Sequence, residues 1–139
     1  MAKKIWKPVF VLYICVLLRI TVFRSGWLEN DFFCGGVELV PFQTVFSYLK
    51  TGECWYFCYL FFGNILWFVP LGIYAALKGK PLWKCALYGF GLSFFIECMQ
   101  FVLNTGYSET EDLLLNTLGA AIGGLLGHAV HSIIEKRNK

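Results

Sequence analysis

Charge is scarce in this chain. Only 15% of its 139 residues are Asp, Glu, Lys or Arg, against about 25% in an ordinary soluble domain, while 58% are hydrophobic. A water-facing shell of normal polarity is therefore excluded. The catalytic signatures that announce hydrolases and nucleotide enzymes are missing too: there is no Ser-His-Asp set, no His-Glu-x-x-His and no phosphate-binding loop. Charge of one sign is also missing locally. Between Lys78 and Lys84 there are three lysines and no acid, and between Glu109 and Asp112 three acids and no base. No clear small-x-small cleavage site follows the first apolar run before Glu29, so a cleavable leader is disfavoured.

What fills the chain instead is four apolar stretches, at about 5–23, 54–77, 83–103 and 113–134. Each approaches the roughly 20 residues that cross a hydrocarbon core of about 30 Å. The segments between them sort by sign. Glu29, Asp31, Glu38 and Glu53 dominate the first gap, Lys78, Lys80 and Lys84 the second, and Glu109, Glu111 and Asp112 the third. Lys3, Lys4 and Lys7 precede the first stretch, and Lys136, Arg137 and Lys139 follow the last. Lys and Arg are retained on the cytoplasmic side of membranes. The expectation is an all-α, integral membrane four-helix transmembrane bundle, one domain over 1–139, with both termini cytoplasmic and the first and third loops outside. The +3 net charge sits where this rule puts it and does not point to nucleic acid.

The six cysteines form no framework. Cys15, Cys58, Cys85 and Cys98 fall inside spans and read as small buried apolar residues. Cys34 and Cys54 both lie on the expected outer side and can pair only in an oxidising compartment. Cys54 and Cys58 are one helical turn apart with no histidine nearby, so no metal and no cofactor is expected.

Polar side chains inside spans are costly and default to functional roles. Asn64 lies in the second stretch, Glu97 and Gln100 one turn apart in the third, and Asp112 and Asn116 one turn apart in the fourth. At 1.5 Å per residue, Glu97 lies about 20 Å from the cytoplasmic end, Asn64 near the midplane, and Asn116 about 6 Å deeper than Asp112. Arg19, Asn64, Glu97, Gln100, Asp112 and Asn116 can thus gather in the outer half of one bundle as a ligand-binding set, with Glu97 and Asp112 as candidate acid or base. Interhelical hydrogen bonding is the plainer alternative. Arg19 either snorkels to the headgroups or pairs with an acid, and Glu97 is balanced by Arg19 or Arg24 or is neutral. Pro70 removes a backbone bond to Leu66 and is expected to open space beside Asn64. Ser108 with Glu111 fits a capping box for the fourth helix. Val45, Phe46 and Leu49 suit one face of a short helix lying on the outer leaflet. Gly119, Gly123 and Gly127 form a small-residue stripe, suited to close helix approach or to a membrane-protein partner.

The order Asn64-x-x-x-Phe68-x-Pro70-x-Gly72, then Glu97-x-x-Gln100, then Asp112-x-x-x-Asn116-Thr117-x-Gly119, together with Pro41-Phe42 in the outer loop, resembles the VanZ-like family of bacterial membrane proteins. Glu109 stands where that pattern often has Asp, and Tyr107 lies in the region of a common Arg. The resemblance implies a multi-pass protein of the bacterial cytoplasmic membrane acting at the cell envelope and associated with teicoplanin resistance. Its implied partners are membrane lipids, a lipid-linked envelope precursor or an antibiotic acyl tail. Three functions fit: a non-enzymatic binder, a membrane enzyme using Glu97 or Asp112, and a small partner subunit.

Overall fold

The computed structural model describes residues 2–23 and 27–137, with side chains from Lys7 onward. Arg24 and Lys139 therefore lie outside the described residues. Five helices and two short strands follow in the order α1 (Ala2–Thr21), β1 (Gly36–Glu38), α2 (Gln43–Lys50), α3 (Cys54–Leu77), α4 (Leu82–Leu103), β2 (Tyr107–Glu109) and α5 (Thr110–Arg137). The fold is all-α in substance, since β1 and β2 form only a two-stranded sheet. Neither strand was anticipated, because three residues are too few to carry an alternation signal.

Among the described residues, α3, α4 and α5 are long and apolar enough to cross a membrane. α1 has 20 residues but holds Lys3, Lys4, Lys7 and Arg19 toward its two ends. α5 begins three residues earlier and ends three later than its apolar stretch, because helical hydrogen bonding continues where hydropathy stops.

The chain divides into two compact units: residues 1–37 with 95–108, and residues 38–94 with 109–139. The path crosses between them within β1, β2 and α4. In the first unit, the loop after α1 is tied to the end of α4. Phe33 and Gly35 donate backbone N–H groups to the carbonyls of Val102 and Phe101 at 2.8 and 3.2 Å. Asn30 Nδ2 donates to the Leu103 and Asn104 carbonyls at 3.3 and 2.9 Å. Gly35 is required there, since a Cβ would lie 2.6 Å from the Phe101 Cα.

The second unit is organised by α5. Cβ atoms built on Gly119, Gly123 and Gly127 would meet the backbone of Ile65, Val69 and Ile73. Both numbers rise together in steps of four, so α3 and α5 run parallel. On a second stripe of α5, Asn116 faces Ser93, Ala120 faces Gly89, and Gly124 faces Cys85. Here one number falls as the other rises, so this part of α4 is antiparallel to α5. Alternating direction is what successive membrane crossings demand. Of the two uses open to the glycine stripe, close helix approach is the one α3 makes of it, because only the absence of side chains lets two backbones come this close.

α3 remains one helix through Pro70. Pro70 and Leu66 lie on its exposed side, so the missing bond does not open beside Asn64. α2 is fixed to α3 by stacked rings, Phe46 on Phe57 and Tyr48 on Tyr56, with centroids 6.3 and 5.4 Å apart. Val45 is fully buried while Phe46 and Leu49 are exposed, so the three do not share a face. All six cysteines are free, and only Cys85 is buried. Cys15, Cys58 and Cys98 lie on helix surfaces, where a membrane-facing residue needs to be apolar rather than enclosed.

Candidate functional site

In the second unit, polar side chains collect where α3, α5 and the start of α2 meet. Asn64 Nδ2 donates to Asp112 Oδ1, joining α3 to α5. One turn further along α5, Asn116 Nδ2 donates to Ser93 Oγ at 2.9 Å, joining α5 to α4. Both Asn116 and Ser93 are buried, and Asn116 Oδ1 has no hydrogen-bond partner. Three helices are thus linked by three of the anticipated residues, Asn64, Asp112 and Asn116, with Ser93 added. Ser93 is the missed member. A serine in an apolar run is too common a residue to signal a contact, and its partner is 23 positions away.

Above this pair of bonds lies a group of acids. One carboxylate oxygen from each of Glu109, Glu111 and Asp112 lies within 4.8 Å of the others. This is the set among the described residues with the spacing to hold a cation, a role sequence inspection sought only among cysteines. Burial is the largest cause pushing the Glu109 carboxyl up, to about 8, followed by the charge of Asp112 and a hydrogen bond with Glu111, with Glu38 adding a further negative neighbour. Glu109 therefore carries its proton at neutral pH.

Glu111 is only 1% exposed. Its Oε1 accepts the backbone N–H of Val45 at 3.2 Å. Val45 is the third residue of α2, and the residue before that helix, Phe42, supplies no side-chain cap. Glu111 thus satisfies one of the N–H groups every helix start leaves open, acting as a cap from 66 positions away. The capping box expected with Ser108 is not formed. Ser108 Oγ donates instead to the Glu97 carbonyl at 2.6 Å, and α5 begins at Thr110, whose hydroxyl donates to the Glu38 carbonyl at 3.3 Å. With both carboxyls ionised, the buried Oε2 of Glu111 has no donor; a proton on Glu109 supplies one.

The remaining anticipated residues belong to the first unit. Glu97 and Gln100 are 7% and 8% exposed, on one face of α4. Gln100 Nε2 donates to the Thr21 carbonyl at 3.3 Å, bringing the ends of α4 and α1 together, while its Oε1 is buried without a partner. Arg19 is exposed and donates to the Phe23 carbonyl at the end of its own helix. Arg24, the alternative counter-charge for Glu97, lies outside the described residues.

Three helices long and apolar enough to cross a membrane, tied to one another by amides and acids, are those of a helical membrane protein. The model of the VanZ/LLP1 family matches residues 10–131. The chain belongs to that family, whose membership accords with a cell-envelope protein linked to glycopeptide resistance. No curated protein and no solved structure matches it.

Proposed function

We propose that this chain is a four-span protein of the bacterial cytoplasmic membrane, with both termini in the cytoplasm, that binds an amphipathic or lipid-linked envelope component through Asn64, Asp112 and Asn116. Binding changes the access of teicoplanin or a related lipoglycopeptide to its target. The observation that carries this reading is the Asn64–Asp112 bond. It sits at the end of α5 where the acids collect, between two helices apolar enough to lie in lipid. Interhelical bonds are worth only about 0.6 kcal/mol on average, so joining helices alone is a weak reason to bury an amide against a carboxylate.

The test is teicoplanin susceptibility in a host expressing the chain. Asp112→Asn and Glu97→Gln preserve shape and are expected to leave membrane-inserted levels unchanged while reducing the protection conferred. Full protection by both variants at normal levels would reduce these carboxylates to interhelical contacts. Orientation is tested separately by thiol labelling in a background without native cysteines. A cysteine at Gln43 should be reached from outside and one at Gly79 should not. Labelling at Gly79 would invert the orientation.

A second reading is favoured by Glu109, which holds its proton near neutrality beside Glu111 and Asp112. A group so poised suits general acid catalysis on a lipid-linked substrate. Glu109→Gln would abolish an enzyme's effect outright but weaken a binder only by degrees.

A further inference from the structure

The opposite end of the second unit is basic, and its lysines sit on a fixed turn. α3 ends in a Schellman motif: Lys80 N–H donates to the Ala75 carbonyl at 3.1 Å and Gly79 N–H to Ala76 at 2.8 Å. Gly79 supplies the left-handed φ of 74° this closure needs. The Cys85 thiol approaches the Lys80 carbonyl at 3.8 Å. Beneath the turn, Ala75, Ala76 and Cys85 form a buried cluster, held against Gly127 and Gly124 of α5. The backbone bearing Lys78, Lys80 and Lys84 is therefore set before any ligand arrives.

The lysine heads are placed beside rings. Lys78 Nζ stands 5.4 Å from the Tyr74 ring centroid and Lys84 Nζ 5.1 Å from that of Trp83. No acid occurs from Tyr74 to Tyr88. Because α5 is parallel to α3 and Gly127 meets Ala76, the part of α5 beyond Gly127 extends past this same end, carrying Lys136 and Arg137. The one acid there, Glu135, lies 3.8 Å from His131.

We propose that the α3–α4 turn seats the headgroup of an anionic phospholipid, its phosphodiester between Lys78, Lys80 and Lys84 and its acyl chain along α4. Two observations favour a lipid over a soluble anion. Trp83 is 62% exposed beside the lysines, an amphipathic ring suited to the headgroup level. Leu87 and Phe90 continue an exposed apolar surface along α4. The absence of any carboxylate favours an anionic over a zwitterionic headgroup, since the turn offers a choline no negative charge and the Tyr74 and Trp83 rings already face lysine ammoniums. Juxtamembrane lysines attract anionic lipid by the same Coulomb term; here a rigid turn focuses it on one headgroup. This seat lies past the end of α3, well away from mid-helix Asn64, so it stands or falls apart from the ligand proposed above.

The full chain, purified in neutral detergent, is offered equal amounts of phosphatidylglycerol and phosphatidylcholine of matched acyl chains, and retained lipid is read by native mass spectrometry. A several-fold excess of phosphatidylglycerol is expected on the wild type, falling to parity in the triple variant K78Q/K80Q/K84Q. Thermal unfolding should show stabilisation by phosphatidylglycerol and none by inorganic phosphate at equal ionic strength. If the triple variant does not accumulate, each single Lys→Gln variant should show a partial loss. Equal retention of both lipids by the wild type, an undiminished preference in the lysine variants, or equal stabilisation by phosphate would each overturn the proposal.

Discussion

The two halves of α5 hold their neighbours by opposite means. From Thr110 to Asn116 the helix is joined through side chains: Glu111 to Val45, Asp112 to Asn64, and Asn116 to Ser93. From Gly119 to Gly127 it is joined through their absence, with hypothetical Cβ atoms at Gly119 and Gly123 only 2.1 and 2.0 Å from the carbonyl oxygens of Ile65 and Val69. In lipid there is no hydrophobic gain from putting apolar helices together, so association depends on close packing and hydrogen bonds. The glycine half supplies the first and the polar half the second. The glycine half fixes register and distance. The polar half leaves side-chain atoms that chemistry can use.

The sharpest way to break this contrast is Gly123→Ala. A methyl placed 2.0 Å from the Val69 carbonyl oxygen forces the backbones apart, at a cost of about 1–3 kcal/mol or more. A marked fall in the thermal midpoint in detergent is expected, and an unchanged midpoint would show that α3 and α5 do not approach this closely. The polar half should respond more mildly. A double-mutant cycle of Asn64→Ala and Asp112→Ala is expected to give a coupling between about 0.6 and 1.7 kcal/mol. Zero coupling would remove the bond as a stabilising contact.

Glycines off the interface sharpen the comparison from the other side. Nothing lies within 4 Å of a Cβ at Gly63 or Gly91. Gly63→Ala and Gly91→Ala should therefore leave the midpoint unchanged or raise it, adding up to about 0.5–1 kcal/mol of stability, the helical gain of Ala over Gly. A loss comparable to that of Gly123→Ala would mean that small size matters everywhere on these helices.

A further effect concerns protons. Glu109 is raised from 4.5 to about 8 in the folded chain, so the folded form keeps a proton that the unfolded form gives up. Stability should then fall as pH rises from about 4.5 to about 8 and level off above that. Glu109→Gln should flatten the slope in a pH series of thermal midpoints. An unaltered slope would assign it to another group.

Much of this was legible in the residues. Low charge, apolar runs of spanning length and the sorting of Lys78, Lys80 and Lys84 from Glu109, Glu111 and Asp112 determine a helical membrane protein, because hydropathy and charge act on each segment regardless of its neighbours. The four-residue spacing of Gly119, Gly123 and Gly127 determines a face of close approach, and the motifs from Asn64 to Gly119 mark the family. Which helix would use that face was decided only by tertiary packing. So was the choice of Val45 rather than Ser108 as the partner of Glu111, of Ser93 as the partner of Asn116, and of Phe23 as the acceptor for Arg19. A hydrogen bond is settled by which donor reaches the acceptor in space, and periodicity along one helix carries no information about the helix it will meet.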